Sequence, residues 1–262
     1  MTGQKSPYGI WVILTLILIA LSYIPLFLDE RTLDAFVRED RIYEMLSAVY
    51  LLVSSILFAV AFFRSKVKFN LKDPAWIRKW MFLGFALLFF VAAGEEISWG
   101  QRMFGFETPN LIKERNVQKE LTLHNLNIFQ GEDALIPMTA GRAIQWFALA
   151  FGAAIPLAAR LIKAIGRFLE RIFPVLPVGF SLVFLVNYGI QKLFLRLLPI
   201  YPQLYHHTTL KPPAAIHEVR EHGYEFGLMM AVIFYVLVKL REQQAGPLTS
   251  EAQAAARPAE GD

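Results

Sequence analysis

The chain has 262 residues, 55% of them hydrophobic and 14% aromatic, with a formal net charge of +4 and a mean hydropathy of +0.42. That is too apolar for an ordinary water-soluble domain and fits one polytopic membrane domain. There is no cysteine, which excludes thiol catalysis, thiolate metal sites and disulfides.

In chain order, residues 9–28 form a nearly unbroken apolar run. About 20 such residues cross the hydrocarbon of a bilayer. The run is too long for a signal-peptide core and reads as an uncleaved first span. Residues 29–41 are charged, with acids slightly outnumbering bases, and residues 42–63 are the second span, with Glu44 near its start. The next connection holds Arg64, Lys66, Lys68, Lys72, Arg78 and Lys79 against Asp73. Trp76 and Trp80 flank the third span as interface aromatics.

That third span, residues 80–99, ends in Gly94-Glu95-Glu96-Ile97-Ser98-Trp99-Gly100-Gln101-Arg102. Residues 100–133 are a polar connection containing His124 and Asn125. The fourth span, 140–161, starts with Arg142 and is followed by Lys163, Arg167 and Arg171. The fifth, 175–198, carries Asn187, Gln191, Lys192 and Arg196. A helix is expected to begin at Pro212-Pro213, since proline suits a first helical turn, and to run into the sixth span, 224–240. Residues 1–242 then form the membrane domain, and the Ala-, Pro- and Glu-rich residues 243–262 a disordered tail.

The fold expected is all-α, with about six transmembrane helices. The connections after the second and fourth spans are strongly basic, so the positive-inside rule puts both termini in the cytoplasm. Glu44, Glu95, Glu96, Lys192 and all five histidines then fall toward the other face. Short loops point to a bacterial inner membrane. The basic residues hug the cytoplasmic face and suit anionic lipid, with no basis for a nucleic-acid partner.

Three polar groupings carry candidate chemistry. If the third span continues as a helix, Glu95, Trp99 and Arg102 share one face, and Glu96 and Gly100 the next. Adjacent glutamates can supply a metal ligand and a general base; the plain alternative is a solvated charge pair at a helix end. In His217-Glu218-Val219-Arg220-Glu221-His222, the pairs His217/Glu221 and Glu218/His222 are four apart, as helical metal ligands are. The plain alternative there is an amphipathic turn. Glu120 and His124 are again four apart, in a loop suited to cover a pocket. Lys192 and Arg196, four apart on the fifth span, suit an anionic group or snorkel to headgroups. Asn187 is too deep to snorkel and is expected to hydrogen-bond another helix.

Over about eight residues, Glu95-Glu96 followed by Arg102 resembles the glutamate-pair-and-arginine motif of the CAAX-processing and related intramembrane proteases. Here the arginine lies two positions too far along. Glu120 stands where that family's phenylalanine precedes its histidine, and Glu221 follows His217 where Asn or Asp is expected. No family is assigned on that likeness; it shows that these residue types do chemistry inside a membrane.

The expected activity is that of an integral membrane enzyme, a metal-assisted hydrolase or transferase acting on a lipid or lipid-linked substrate. Glu96, His124, His217 and Glu221 would hold a divalent ion, with zinc, manganese or iron suited to such ligands. Glu95 or Glu218 would be the base, and Arg102, Lys192 and Arg196 would hold an anion. Glu44, Trp99, Gln101, Asn125 and His222 complete the pocket candidates. The alternatives are an ion- or proton-coupled transporter, whose site is expected nearer the midplane, and a non-catalytic assembly or binding protein.

Overall fold

The computed structural model describes residues 8–37, 41–117, 119–123, 126–128, 140–197 and 212–245. Helix α1 (Tyr8–Ser22) is extended by a 3₁₀ turn over Ile24–Phe27. Helix α2 (Glu30–Val37) is capped by Asp29, whose carboxylate accepts from the Thr32 amide at 3.0 Å and the Thr32 hydroxyl at 2.7 Å. Those bonds hold Asp29 below the ordinary carboxylate range.

Then follow α3 (Ile42–Arg64), α4 (Ala75–Glu96), the single turns α5 (Gln101–Phe104) and α6 (Asn110–Lys113), and α7 (Ala140–Phe147). Helix α7 continues through a π-helical stretch, Ala148–Ala154, into α8 (Ile155–Leu161). Pro156 has no N–H for the carbonyl one turn back, and the wider spacing just before it is where the helix absorbs that loss. Helices α9 (Lys163–Ile172), α10 (Phe180–Leu197) and α11 (Pro212–Ala245) complete the chain.

Among the described residues, six helical segments are long and apolar enough to cross a membrane, and the only β pairing is an isolated bridge between Asn116 and Leu126. The second and fourth expected spans match α3 and α7–α8 closely. The fifth starts late, at Phe180, because Pro174, Pro177 and Gly179 precede it. The sixth differs most. Helix α11 begins at Pro212, as the prolines suggest, but its buried part already starts at Ala215, well before residue 224. It also runs past residue 242, into the expected tail; residues 246–262 lie outside those described.

Helix α11 is the axis of the bundle. It packs against α1, α2, α3, α7 and α10, and α3 packs along α4. Two glycines permit the close approaches. A Cβ on Gly223 would come within 2.8 Å of Asn187 Oδ1, and one on Gly152 would sit 2.4 Å from the Phe184 ring. Between α3, α4, α7 and α9 the core is a stack of phenylalanines, with Phe85 and Phe151 centroids 4.7 Å apart and Phe85 and Phe89 6.3 Å apart. Offset ring pairs of this kind add to the area they bury. Outward faces are apolar, as at Ile10, 63% exposed, and Leu87, 58% exposed. Contiguous exposed apolar faces suit lipid rather than water.

The two ends of the bundle differ in charge. Helix α9 folds back on α8 over Gly166, where a Cβ would strike the Ala159 carbonyl. Arg171 then reaches Asp73 at 3.5 Å, and Arg78 donates to the Glu170 carbonyl. The basic connections after α3 and α8 therefore meet at one end. The carboxylates of α4 and α11 gather at the other.

Candidate functional site

The third span does not continue as a helix. Helix α4 ends at Glu96, and Ser98 (φ 46°), Trp99 (φ 54°) and Gly100 (φ 75°) are left-handed. The helical face expected to join Glu95, Trp99 and Arg102 is therefore not formed. Two non-glycine residues in that region cost of order 1–3 kcal/mol each unless the surroundings hold them. Here the turn folds the indole back over Gly94, where a Cβ would lie 2.8 Å from the ring. The indole N–H then donates to Glu95 Oε1 at 2.7 Å. Glu95 and Trp99 do meet, by a reversal of the chain.

The same turn organises the following loop. The Leu123 amide donates to Glu95 Oε2 at 2.6 Å, and Ser98 Oγ donates to Glu120 at 2.8 Å. Gln101 accepts from the Leu121 amide at 2.8 Å and donates to Thr108 Oγ1 at 2.6 Å. Thr108 in turn donates to the Lys119 carbonyl at 2.8 Å. Glu95 and Gln101 thus anchor residues 119–123. His124, Asn125 and the Arg102 side chain lie outside the described residues.

Glu96 turns the other way. The charges that act on it are those of Glu225, Glu221 and Glu218 on α11 and Glu44 on α3. Two neighbouring glutamates therefore serve different partners, Glu95 the loop and Glu96 the group on α11. In that group Glu225 is 1% exposed, with the Ser47 hydroxyl of α3 beside it. Beside it, His222 stacks on Tyr43 at 4.2 Å and tilts against Tyr50 at 5.2 Å.

The opposite flank of α11 is basic. His217, at the exposed rim, is faced by Arg220, Lys192 and Arg142. Arg220 is 3% exposed. Its Nη1 donates to Gln145 Oε1 on α7 at 2.8 Å and to His217 Nδ1 at 3.1 Å. Gln191 Nε2 approaches the same His217 nitrogen at 3.0 Å. A guanidinium can only donate, so Nδ1 accepts and His217 is neutral with its proton on Nε2. Glu221 stands at the border of the two flanks, 3.9 Å from Arg220.

Below this, Asn187 donates to the Arg220 carbonyl at 2.8 Å and accepts from the Tyr23 hydroxyl at 2.8 Å. The deep amide thus joins α10 to α11 and α1, as expected of it. Lys192 lies over the Tyr188 ring at 5.2 Å, and Arg196 is exposed one turn further on.

Of the four expected metal ligands, His124 lies outside the described residues. Among the described residues no three His, Asp or Glu side chains form a group that could hold a metal ion. His217 Nδ1 is turned to a guanidinium, which a cation would oppose. Comparison with protein-family models, curated proteins and solved structures finds no match. The functional reading therefore rests on side-chain chemistry alone.

Glu225, Arg220, Gln145 and Tyr23 are the members of this site that the sequence reading leaves out. Glu225 carried a signal, a carboxyl beside an apolar run. Starting the sixth span at Tyr224 places it at the edge of that span, where such a group is cheap.

Proposed function

We propose that this protein is an integral membrane enzyme, a hydrolase or transferase acting on a lipid or lipid-linked substrate with an anionic headgroup. The observation that carries this reading is the two-sided upper half of α11. Arg142, Lys192, Arg220 and neutral His217 gather on one flank, and Glu44, Glu96, Glu218, Glu221 and Glu225 on the other. Cations at an exposed rim suit a phosphate or carboxylate, and the apolar outer faces suit a substrate that arrives through lipid.

In this mechanism Lys192 and Arg142 hold the anionic group at the rim. Glu221, between the cationic and acidic flanks, takes the proton of the attacking water or hydroxyl. Such positioned proton transfer contributes about 10²–10⁴-fold. His217, with its proton on Nε2, donates to the leaving oxygen. Glu95 and Gln101 are positioning residues that hold the loop over the site.

The test is turnover of a bacterial polar-lipid extract by the purified protein, followed by mass spectrometry of the lipids. The wild type is expected to convert one anionic lipid class, Glu221→Gln to lose about 10²-fold or more of that rate, and Lys192→Ala to bind the substrate more weakly. An extract unchanged by the wild type overturns the enzyme reading. A second reading, a proton-coupled carrier, draws on Glu225, which lies near the middle of the apolar Ala214–Arg241 stretch, the depth expected of a carrier site.

A further inference from the structure

Helix α9 divides into three stripes. Gly166, Leu169 and Phe173, the last just past the helix end, recur three and four residues apart, as do Ile165, Phe168 and Ile172. Lys163, Arg167 and Arg171 are four apart, with Glu170 beside them. On a helix of about 3.6 residues per turn, the stripes lie about a third of a turn from one another.

The first stripe faces the bundle. Gly166 lies against the Ala159 carbonyl in the last turn of α8. The Phe173 ring packs on Phe85 and Phe151, with centroids 5.5 Å and 5.7 Å away. Arg78, in the first turn of α4, donates to the Glu170 carbonyl. These contacts fix α9 across the ends of two spanning helices. Trp76 and Trp80 bracket Arg78 on α4, and tryptophans gather where hydrocarbon meets headgroups. Helix α9 is therefore held at that level.

The other two stripes turn away from the bundle. Ile165 is 41% exposed and Phe168 58%, and the junction before them adds Leu161 at 77% and Ile162 at 49%. Lys163, Arg167 and Arg171 are exposed as well, with Arg171 reaching Asp73 at 3.5 Å. In water, the apolar stripe would be an uncovered patch with a basic rim. In the plane of the interface, each face has its own surroundings. Amphipathic helices there bury apolar side chains at the headgroup–acyl boundary and turn Lys and Arg to the headgroups. Charge picks the lipid: three cations against one acid on α9 favour an anionic headgroup over a zwitterionic one.

We propose that α9 is an in-plane helix of the leaflet at the basic end, with Ile165 and Phe168 among the acyl chains and Lys163 and Arg167 on the headgroups of anionic lipid. This surface lies at the end of the bundle opposite the α11 carboxyls, so it holds whether or not the chain turns over a lipid.

The chain has no cysteine, so a single introduced thiol reports one position. Phe168→Cys carrying a bimane fluorophore is reconstituted as the full chain in bilayers of phosphatidylcholine and phosphatidylglycerol. Quenching is read with nitroxides on the acyl chains of either lipid, and with acrylamide in the water. Both nitroxide lipids are expected to quench, and acrylamide only weakly. The phosphatidylglycerol form is expected to act at a mole fraction about fivefold or more lower, since each Lys or Arg near anionic lipid contributes about fivefold. Adding Lys163→Ala and Arg167→Ala is expected to lower that preference about fivefold or more, while both lipids still quench. Ile165→Cys, on the same stripe, gives the same reading where Phe168→Cys does not fold. Strong quenching by acrylamide and none by the lipids would mark a face for water or another protein, and overturn the proposal. So would quenching by neither, which marks a face covered by a second copy. Equal action of the two lipids, or a preference that survives in the Lys163→Ala, Arg167→Ala variant, would overturn it as well.

Discussion

Glu95 and Glu96 differ only by one position, yet a helix end separates their fates. Had α4 run on, both would have faced lipid or headgroups one hundred degrees apart. Because the chain turns left-handed at Ser98 and Trp99, Glu95 is enclosed by the indole and the Leu123 amide, and Glu96 is left facing α11. Nothing in the residue types announces that break except Gly100, which follows it. Glu95→Ala is expected to free Leu123 while leaving the carboxyl group on α11 in place. Losing bonds to a charged acceptor costs about 2 kcal/mol. Hydrogen exchange at the Leu123 amide is expected to rise steeply in Glu95→Ala and to stay near the wild-type rate in Glu96→Gln. Equal protection in both variants would show that Glu95 does not anchor the loop.

At the scale of the element, hydropathy was enough to find the helices and not enough to rank them. Each apolar run is visible because lipid demands about 20 such residues. Which run is central depends on small residues and polar contacts, whose partners lie far away in sequence. Asn187 is the exception, since a deep amide must bond to another helix; its partner on α11 was not readable. The packing of α10 illustrates the rest. Phe184 lies against Gly152 of the π-helical stretch and stacks over Tyr224 of α11, with centroids 6.4 Å apart. Gly152→Ala would put a methyl group 2.4 Å from that ring. Overpacking of this kind costs about 1–3 kcal/mol, so a lower midpoint of thermal unfolding in detergent is expected. Gly189→Ala, at a position with nothing within 4 Å of the added carbon, is expected to leave the midpoint unchanged. If both variants melt together with the wild type, the α10 contact is looser than described.

For the whole molecule, the meeting of Arg171 with Asp73 and of Arg78 with the Glu170 carbonyl gathers the basic connections at one end. We infer from the positive-inside rule that this end is cytoplasmic and that the carboxyl-rich end faces outward. The absence of cysteine makes the inference simple to check with single introduced thiols. Leu71, 84% exposed, lies between α3 and α4, and Phe104, 79% exposed, lies beyond the end of α4. On intact cells an impermeant maleimide is expected to label Phe104→Cys and to spare Leu71→Cys until the membrane is opened. The reverse pattern would invert the orientation, and with it the side from which the substrate enters.

The central position of α11 also sets a problem of timing. It follows the other five spanning helices in the chain, and synthesis delivers helices in chain order. Until it arrives, Gln191 on α10 lacks His217 and Asn187 keeps only the Tyr23 hydroxyl, in a solvent that satisfies neither fully. Burial of these polar groups is therefore expected to wait on the last helix. Docking of α11, rather than insertion of any one helix, is then the step expected to be slow in making this protein.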